Sequence, residues 1–182
     1  MMLYKIQAPA LWIALLVASA ALLSGALVCA TPFAAFAALA AITLPRRAAA
    51  LAAACAWLAN QLVGFAILNF PIGFESMMWS AILLASMVAT TVAVQSVCGG
   101  LARFGTAGSM VAGFLASQLV FRGLMIVAAS ILGGIEGFTI ENLAFLSAVD
   151  FATFVGLLVI AEVAAFVGRS VLSPVRMAQP RA

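Results

Sequence analysis

The residues of this chain that could do chemistry are few, and most lie inside long apolar runs. Asn60 and Gln61 belong to the stripe Trp57, Asn60, Gln61, Gly64, Leu68, whose i, i+3, i+4, i+7, i+11 spacing aligns side chains on one helical face. Such amides either hydrogen-bond between helices, at about 0.6–2 kcal/mol each, or recognise a polar ligand from the wall of a cavity. Trp79 stands at the outer end of another apolar run. An indole there is an interfacial anchor or a ligand contact.

Arg122, with Gln118 one turn before it, and the acids Asp150 and Glu162 are the charged groups embedded in apolar sequence. A central arginine costs about 2.5–3.5 kcal/mol on insertion scales, so it turns inward and takes a partner. Glu162, near the depth of Gln118, is the candidate for a buried ion pair with Arg122, and Asp150 approaches the same arginine from the outer half of its helix. The pair either fixes two helices or anchors a ligand or a proton. Asp150 and Glu162 are 12 positions apart, which points them about 120° apart around a helix. They therefore form neither a paired-carboxylate acid nor a carboxylate metal cage.

Cys29, Cys55 and Cys98 fall at three different depths, which disfavours a shared metal site or disulfide. Cys29 would face the outer side, where a soft thiolate suits a metal carried by a substrate. The chain has no histidine, one tyrosine and Lys5 as its single lysine, so histidine triads and intramembrane lysine Schiff bases are unavailable. No enzyme, cofactor or resident metal site is expected.

The elements that must position these groups follow from composition. The 182 residues are 67% hydrophobic and 7% charged, with a mean hydropathy of +1.29, against roughly 45–50% and about 25% in soluble domains. A spanning helix needs about 20 apolar residues. Six such segments run over 8–29, 31–45, 48–69, 77–98, 108–132 and 144–168. The second is short for a crossing. Thr31 and Pro32 offer an N-cap and first helical residue, and Pro45 before Arg46 and Arg47 gives a polar stop, so a tilted or locally thinned span is expected.

With a cytoplasmic N-terminus, Lys5, Arg46, Arg47, Arg103, Arg169, Arg176 and Arg181 all fall inside, and Glu75, Glu136 and Glu141 fall outside. That is the positive-inside pattern. The basic residues are too scattered for nucleic acid. Lys5 and the apolar run after it also match a signal peptide, although Val28 before Cys29 does not suit a lipoprotein site. The expected fold is all-α: a polytopic membrane protein with six transmembrane helices, both termini cytoplasmic, one domain over 1–172, and a disordered cytoplasmic tail over 173–182. The outer segments Asn69–Glu75 and Gly133–Asn142 could act as lids or merely as turns.

Six hydrophobic helices in under 200 residues, with elaborated outer loops, resemble the substrate-binding S components of energy-coupling-factor vitamin transporters. The runs Cys29-Ala30-Thr31-Pro32-Phe33, Trp57-Leu58-Ala59-Asn60-Gln61-Leu62-Val63-Gly64-Phe65 and Asn69-Phe70-Pro71, followed by Trp79, are similar to small bacterial membrane proteins linked to cobalamin transport. The resemblance implies an outward pocket and a coupling surface on the first three helices, including Ala10, Ala14 and Ala18. It also implies a transmembrane coupling protein and separate ATPases as partners, since no Gly-rich phosphate loop ending in lysine is present. Cys29 would then be the position for contact with cobalt.

The expectation is an integral protein of the bacterial inner membrane that captures a small nutrient, a vitamin or corrinoid, from the extracytoplasmic side. Asn60, Gln61, Trp79, Arg122 and Asp150 would recognise it. Two alternatives are a structural or assembly subunit of a larger membrane complex, and a small proton-coupled carrier using Arg122 and Glu162.

Overall fold

The computed structural model describes residues 9–101, 103 and 105–172, with the side chains of Cys29 and of residues 164–172 outside that description. Lys5, the tail over 173–182, and the side chains of Cys29 and Arg169 therefore lie outside the described residues. Among the described residues there are six α-helices: α1 (Pro9–Leu27), α2 (Phe33–Thr43), α3 (Arg46–Leu62), α4 (Phe74–Gly100), α5 (Gly105–Leu132) and α6 (Ile140–Leu172). A π-helical turn, Val63–Ile67, prolongs α3, and 3-10 turns occupy Val28–Ala30 and Ile135–Gly137.

Five of these helices are long and apolar enough to cross a membrane. The exception is α2, whose 11 residues rise only about 16 Å, roughly half of a ~30 Å hydrocarbon core. Each residue from Phe33 to Thr43 is buried. The second segment is thus a short helix enclosed by protein. Its composition explains this placement: a helix apolar on every side has no face to present to water and sits in a core, while its alanines let neighbours approach closely.

Contacts between helices fix the directions. Trp12, near the start of α1, bonds Thr43 at the end of α2, and Ser24, near the end of α1, meets Thr31 just before α2. Hence α2 runs back along α1, and α3 returns. Gln95 of α4 reaches Leu44, so α4 descends beside α2. Phe33 meets Phe121 while Ile42 lies against Gly113, so α5 runs opposite to α2, and Arg122 pairs with Asp150 while Phe114 meets Phe154, so α6 runs opposite to α5. Arg46, Arg47 and Arg103 consequently share one end of the bundle, and Glu75, Glu136 and Glu141 share the other. That charge partition is the one the sequence predicts.

The buried line of α1 is Trp12, Leu16, Ala20 and Ser24. Ala10, Ala14 and Ala18 face outward from the bundle. On the inner half, α2, α4 and α5 meet at Gly113, where an added Cβ would lie 2.9 Å from Cys98 Sγ, 3.1 Å from Ile42 Cδ1 and 3.3 Å from Val94 Cγ1. Three side chains from two helices leave no room for a methyl group. Gly113→Val should therefore overpack this junction and cost about 1–3 kcal/mol, read as a lowered unfolding midpoint of the detergent-solubilised protein.

Candidate functional site

A helix leaves its first N–H and last C=O groups without intrahelical partners, and in a dry interior each must be satisfied by protein. This requirement organises the polar residues around α2. The sequence expects Thr31 and Pro32 as cap and first helical residue. In the structure Pro32 is the cap residue, with no local side-chain cap. Thr31 turns away, donating to Val28 O at 3.3 Å and meeting Ser24 Oγ at 3.4 Å. The cap comes from α6: Asp150 Oδ1 accepts from the Ala35 N–H at 3.1 Å. A carboxylate there also suits the positive end of the helix dipole.

The second oxygen of the same carboxylate, Oδ2, pairs with Arg122 Nη2 at 2.6 Å, and the two side chains are 14% (Arg122) and 5% (Asp150) exposed. Arg122 Nε donates to Gln118 Oε1 at 3.0 Å. One line of bonds therefore runs from Gln118 through Arg122 and Asp150 to the backbone of α2. Glu162 is exposed; the partner of Arg122 is Asp150, so the expected Arg122–Glu162 pair is corrected. The 120° separation of the two acids explains the choice, because turning Asp150 toward α2 points Glu162 elsewhere.

The other side of the same helix end is met by α3. Asn60 Nδ2 donates to Ser24 Oγ at 2.9 Å and to Thr31 Oγ1 at 3.3 Å, and Gln61 Nε2 donates to Asn60 Oδ1 at 3.2 Å. Ser24 Oγ in turn bonds Ala20 O at 2.6 Å. Trp57 Nε1 bonds Ser80 O at 2.8 Å, tying α3 to α4. Gly64 lies under Phe70, whose ring would stand 2.9 Å from an added Cβ, and Phe70 N–H bonds Gly64 O at 3.0 Å.

Of the predicted recognition residues, Asn60 with Gln61 and Arg122 with Asp150 converge on the start of α2 from two sides. Trp79, half-buried on α4, lies beside Ser80 and outside these bonds. The opposite end of α2 is served by residues whose role the sequence did not reveal. Gln95 Nε2 approaches Ala41 O at 3.4 Å and Leu44 O at 3.3 Å, and Trp12 Nε1 bonds Thr43 Oγ1 at 2.8 Å. Gln95 was visible as a long polar side chain in an apolar run, but nothing in its spacing named α2 as its target.

A cleft of about 490 Å³ opens between α4, from Met78 to Ala89, and α5, from Leu124 to Leu132. Asn60, Gln61, Trp79, Arg122 and Asp150 are not among its lining residues. The line Ser109, Gly113, Ser117, Phe121 on α5 is buried, and Phe121 meets Phe33, the first residue of α2. Continued outward through Leu124, Ala128 and Ile131, that same line of α5 borders the cleft. Among the described residues no group of three or more His, Cys, Asp or Glu could hold a metal. Cys98 is buried and its thiol contacts Ser109 O at 3.4 Å. Comparison with protein-family models, curated proteins and solved structures gave no match.

Asp150→Ala should cost about 3–5 kcal/mol, because it strands a buried guanidinium and uncaps α2. Asp150→Asn keeps an acceptor for Ala35 and should cost less, while Glu162→Gln, at an exposed position, should stay within about 0.5 kcal/mol. Thermal unfolding in one detergent ranks the three.

Proposed function

We propose that this protein is a membrane-embedded binding subunit that takes a small molecule from the extracytoplasmic side and supports its uptake. The observation that carries this reading is the cleft between α4 and α5. The cleft volume of about 490 Å³ falls within the range of small-molecule sites, about 300–1,000 Å³.

In this reading the polar layer around the start of α2 holds the framework of the site, and the bacterial inner membrane is its location. The outward-facing Ala10, Ala14 and Ala18 supply a flat strip on α1 for a transmembrane coupling protein, in the manner of S components. A second reading, a structural subunit of a larger complex, is favoured by one observation: Asn60, Gln61, Arg122 and Asp150 each bond to other residues of the chain.

Purification in mild detergent followed by mass spectrometry of extracted small molecules should find a ligand, and deletion of the gene should lower uptake of that compound. A stoichiometric partner unrelated to transport, with no ligand and unchanged uptake, would establish the scaffold instead.

A further inference from the structure

We infer that α6 is a lateral gate: it swings as one rod about Gly133 and Gly134 at its outer end, and the carboxylate of Asp150 is the latch that holds it against α2. The inference goes beyond the binding function proposed above and does not depend on it.

Three observations support it. First, among the described residues α6 packs closely against α2 and against no other helix. Its buried residues Asp150, Phe154, Leu157 and Ala161 form one narrow line, and Phe151, Val155, Val159 and Val163 are exposed. Toward α5 the gap is bridged by long side chains: the ring of Phe114 lies 5.0 Å from that of Phe154 and 5.8 Å from that of Phe151, and Arg122 reaches Asp150. Long side chains tolerate a displacement that interlocked backbones forbid. The contrast is with α4 and α5, which lock at Gly113, where an added Cβ would lie 2.9 Å from Cys98 Sγ.

Second, among the described residues every hydrogen bond from α6 to another helix passes through Asp150, whose Oδ1 accepts from Ala35 of α2 and whose Oδ2 accepts from Arg122 of α5. Lipid gives helices little hydrophobic drive to associate, so where packing is narrow the polar contact decides the position. One carboxylate thus carries the polar attachment of a helix of 33 residues.

Third, the link to α5 is built to turn. Gly133 and Gly134 both adopt positive φ, 95° and 94°, and an added Cβ on either meets nothing within 4 Å. They and the turn Ile135–Gly137 are exposed, so a change in their dihedrals disturbs no packing. Hinges are a few such positions. Val159 lies about 29 Å along α6 from Ile140 and Asp150 about 15 Å, so a tilt of about 10° moves them by about 5 Å and about 3 Å. The smaller shift already breaks both bonds of the carboxylate. Opening bares the flank of α2, with Asp150 and Arg122, to the bilayer between α5 and α6.

The test uses the full chain in phosphatidylcholine nanodiscs with its three cysteines in place. A ketone-bearing unnatural amino acid carries spin labels at exposed positions, Val111 of α5 with Val159 of α6 across the gate, and Val92 of α4 with Val111 as the control. Pulsed electron double resonance should give the gate pair one main distance in the unsubstituted protein. Asp150→Asn keeps an acceptor for Ala35 and loses the charge. It should raise the ratio of open to closed about tenfold, the size of one charge-assisted hydrogen bond, so that a second distance appears, longer by about 5 Å as that tilt requires. Asp150→Ala, which removes both bonds, should raise the ratio further. The control pair should keep one distance throughout, which also shows that each variant is folded.

A gate pair left unchanged by Asp150→Asn in a protein whose control pair is intact would overturn the inference. A second distance that appears equally in the control pair would overturn it as well, because the whole bundle would then be loosening rather than α6 moving.

Discussion

The structure turns on one constraint: the backbone of α2 begins and ends inside an apolar medium, where water cannot satisfy its free N–H and C=O groups. An unpaired polar group in hydrocarbon costs several kcal/mol, comparable to much of the net stability of a domain. Asp150 answers this need at one end and Gln95 at the other. The solution at each end recruits further residues, because a carboxylate brought into that environment needs Arg122, and Arg122 in turn engages Gln118. A short helix therefore accounts for the deep placement of Asp150, Arg122, Gln118 and Gln95.

These bonds also explain how the outer helices keep their places. Lipid supplies little hydrophobic drive for one helix to join another, so contact rests on close packing and hydrogen bonds. The layer at the start of α2 ties α1, α3, α5 and α6 to one another through Ser24, Thr31, Asn60, Arg122 and Asp150. The layer at its end ties α1 and α4 to it through Trp12 and Gln95. Between the layers, alanines and Gly113 allow the close approach that dispersion requires. Outward of the first layer α2 is absent, and α4 and α5 are left with apolar faces and a cleft between them. The cleft and the polar framework thus differ in chemistry.

The polar residues illustrate what a single sequence conveys. The embedded position of Arg122 required a partner inside the bundle, and the structure supplies one. The choice between Asp150 and Glu162 was not legible, because both lie on α6 and the decision depends on which face of α6 meets α2. Asn60 and Gln61 stood out as a stripe, and their two readings differ only in what stands opposite them. That proved to be Ser24 and Thr31, from segments about 30 or more positions away. The cleft itself left no mark that could be read beforehand, since Ala, Leu, Ile and Val at its walls are the residues of any lipid-facing helix.

The chain by itself determined its solvent, its helical class and the end of the bundle at which the basic residues gather, because these follow from hydropathy and from local spacing that any 20-residue window carries. Tertiary structure alone decided that α2 is enclosed by protein on every side, that its cap comes from a residue 115 positions away, and that a cleft opens between α4 and α5. Those outcomes depend on which faces meet across the bundle. Helix periodicity fixes the faces of each rod but not their partners, and a hydrogen bond between distant segments has no signature in the spacing of either one.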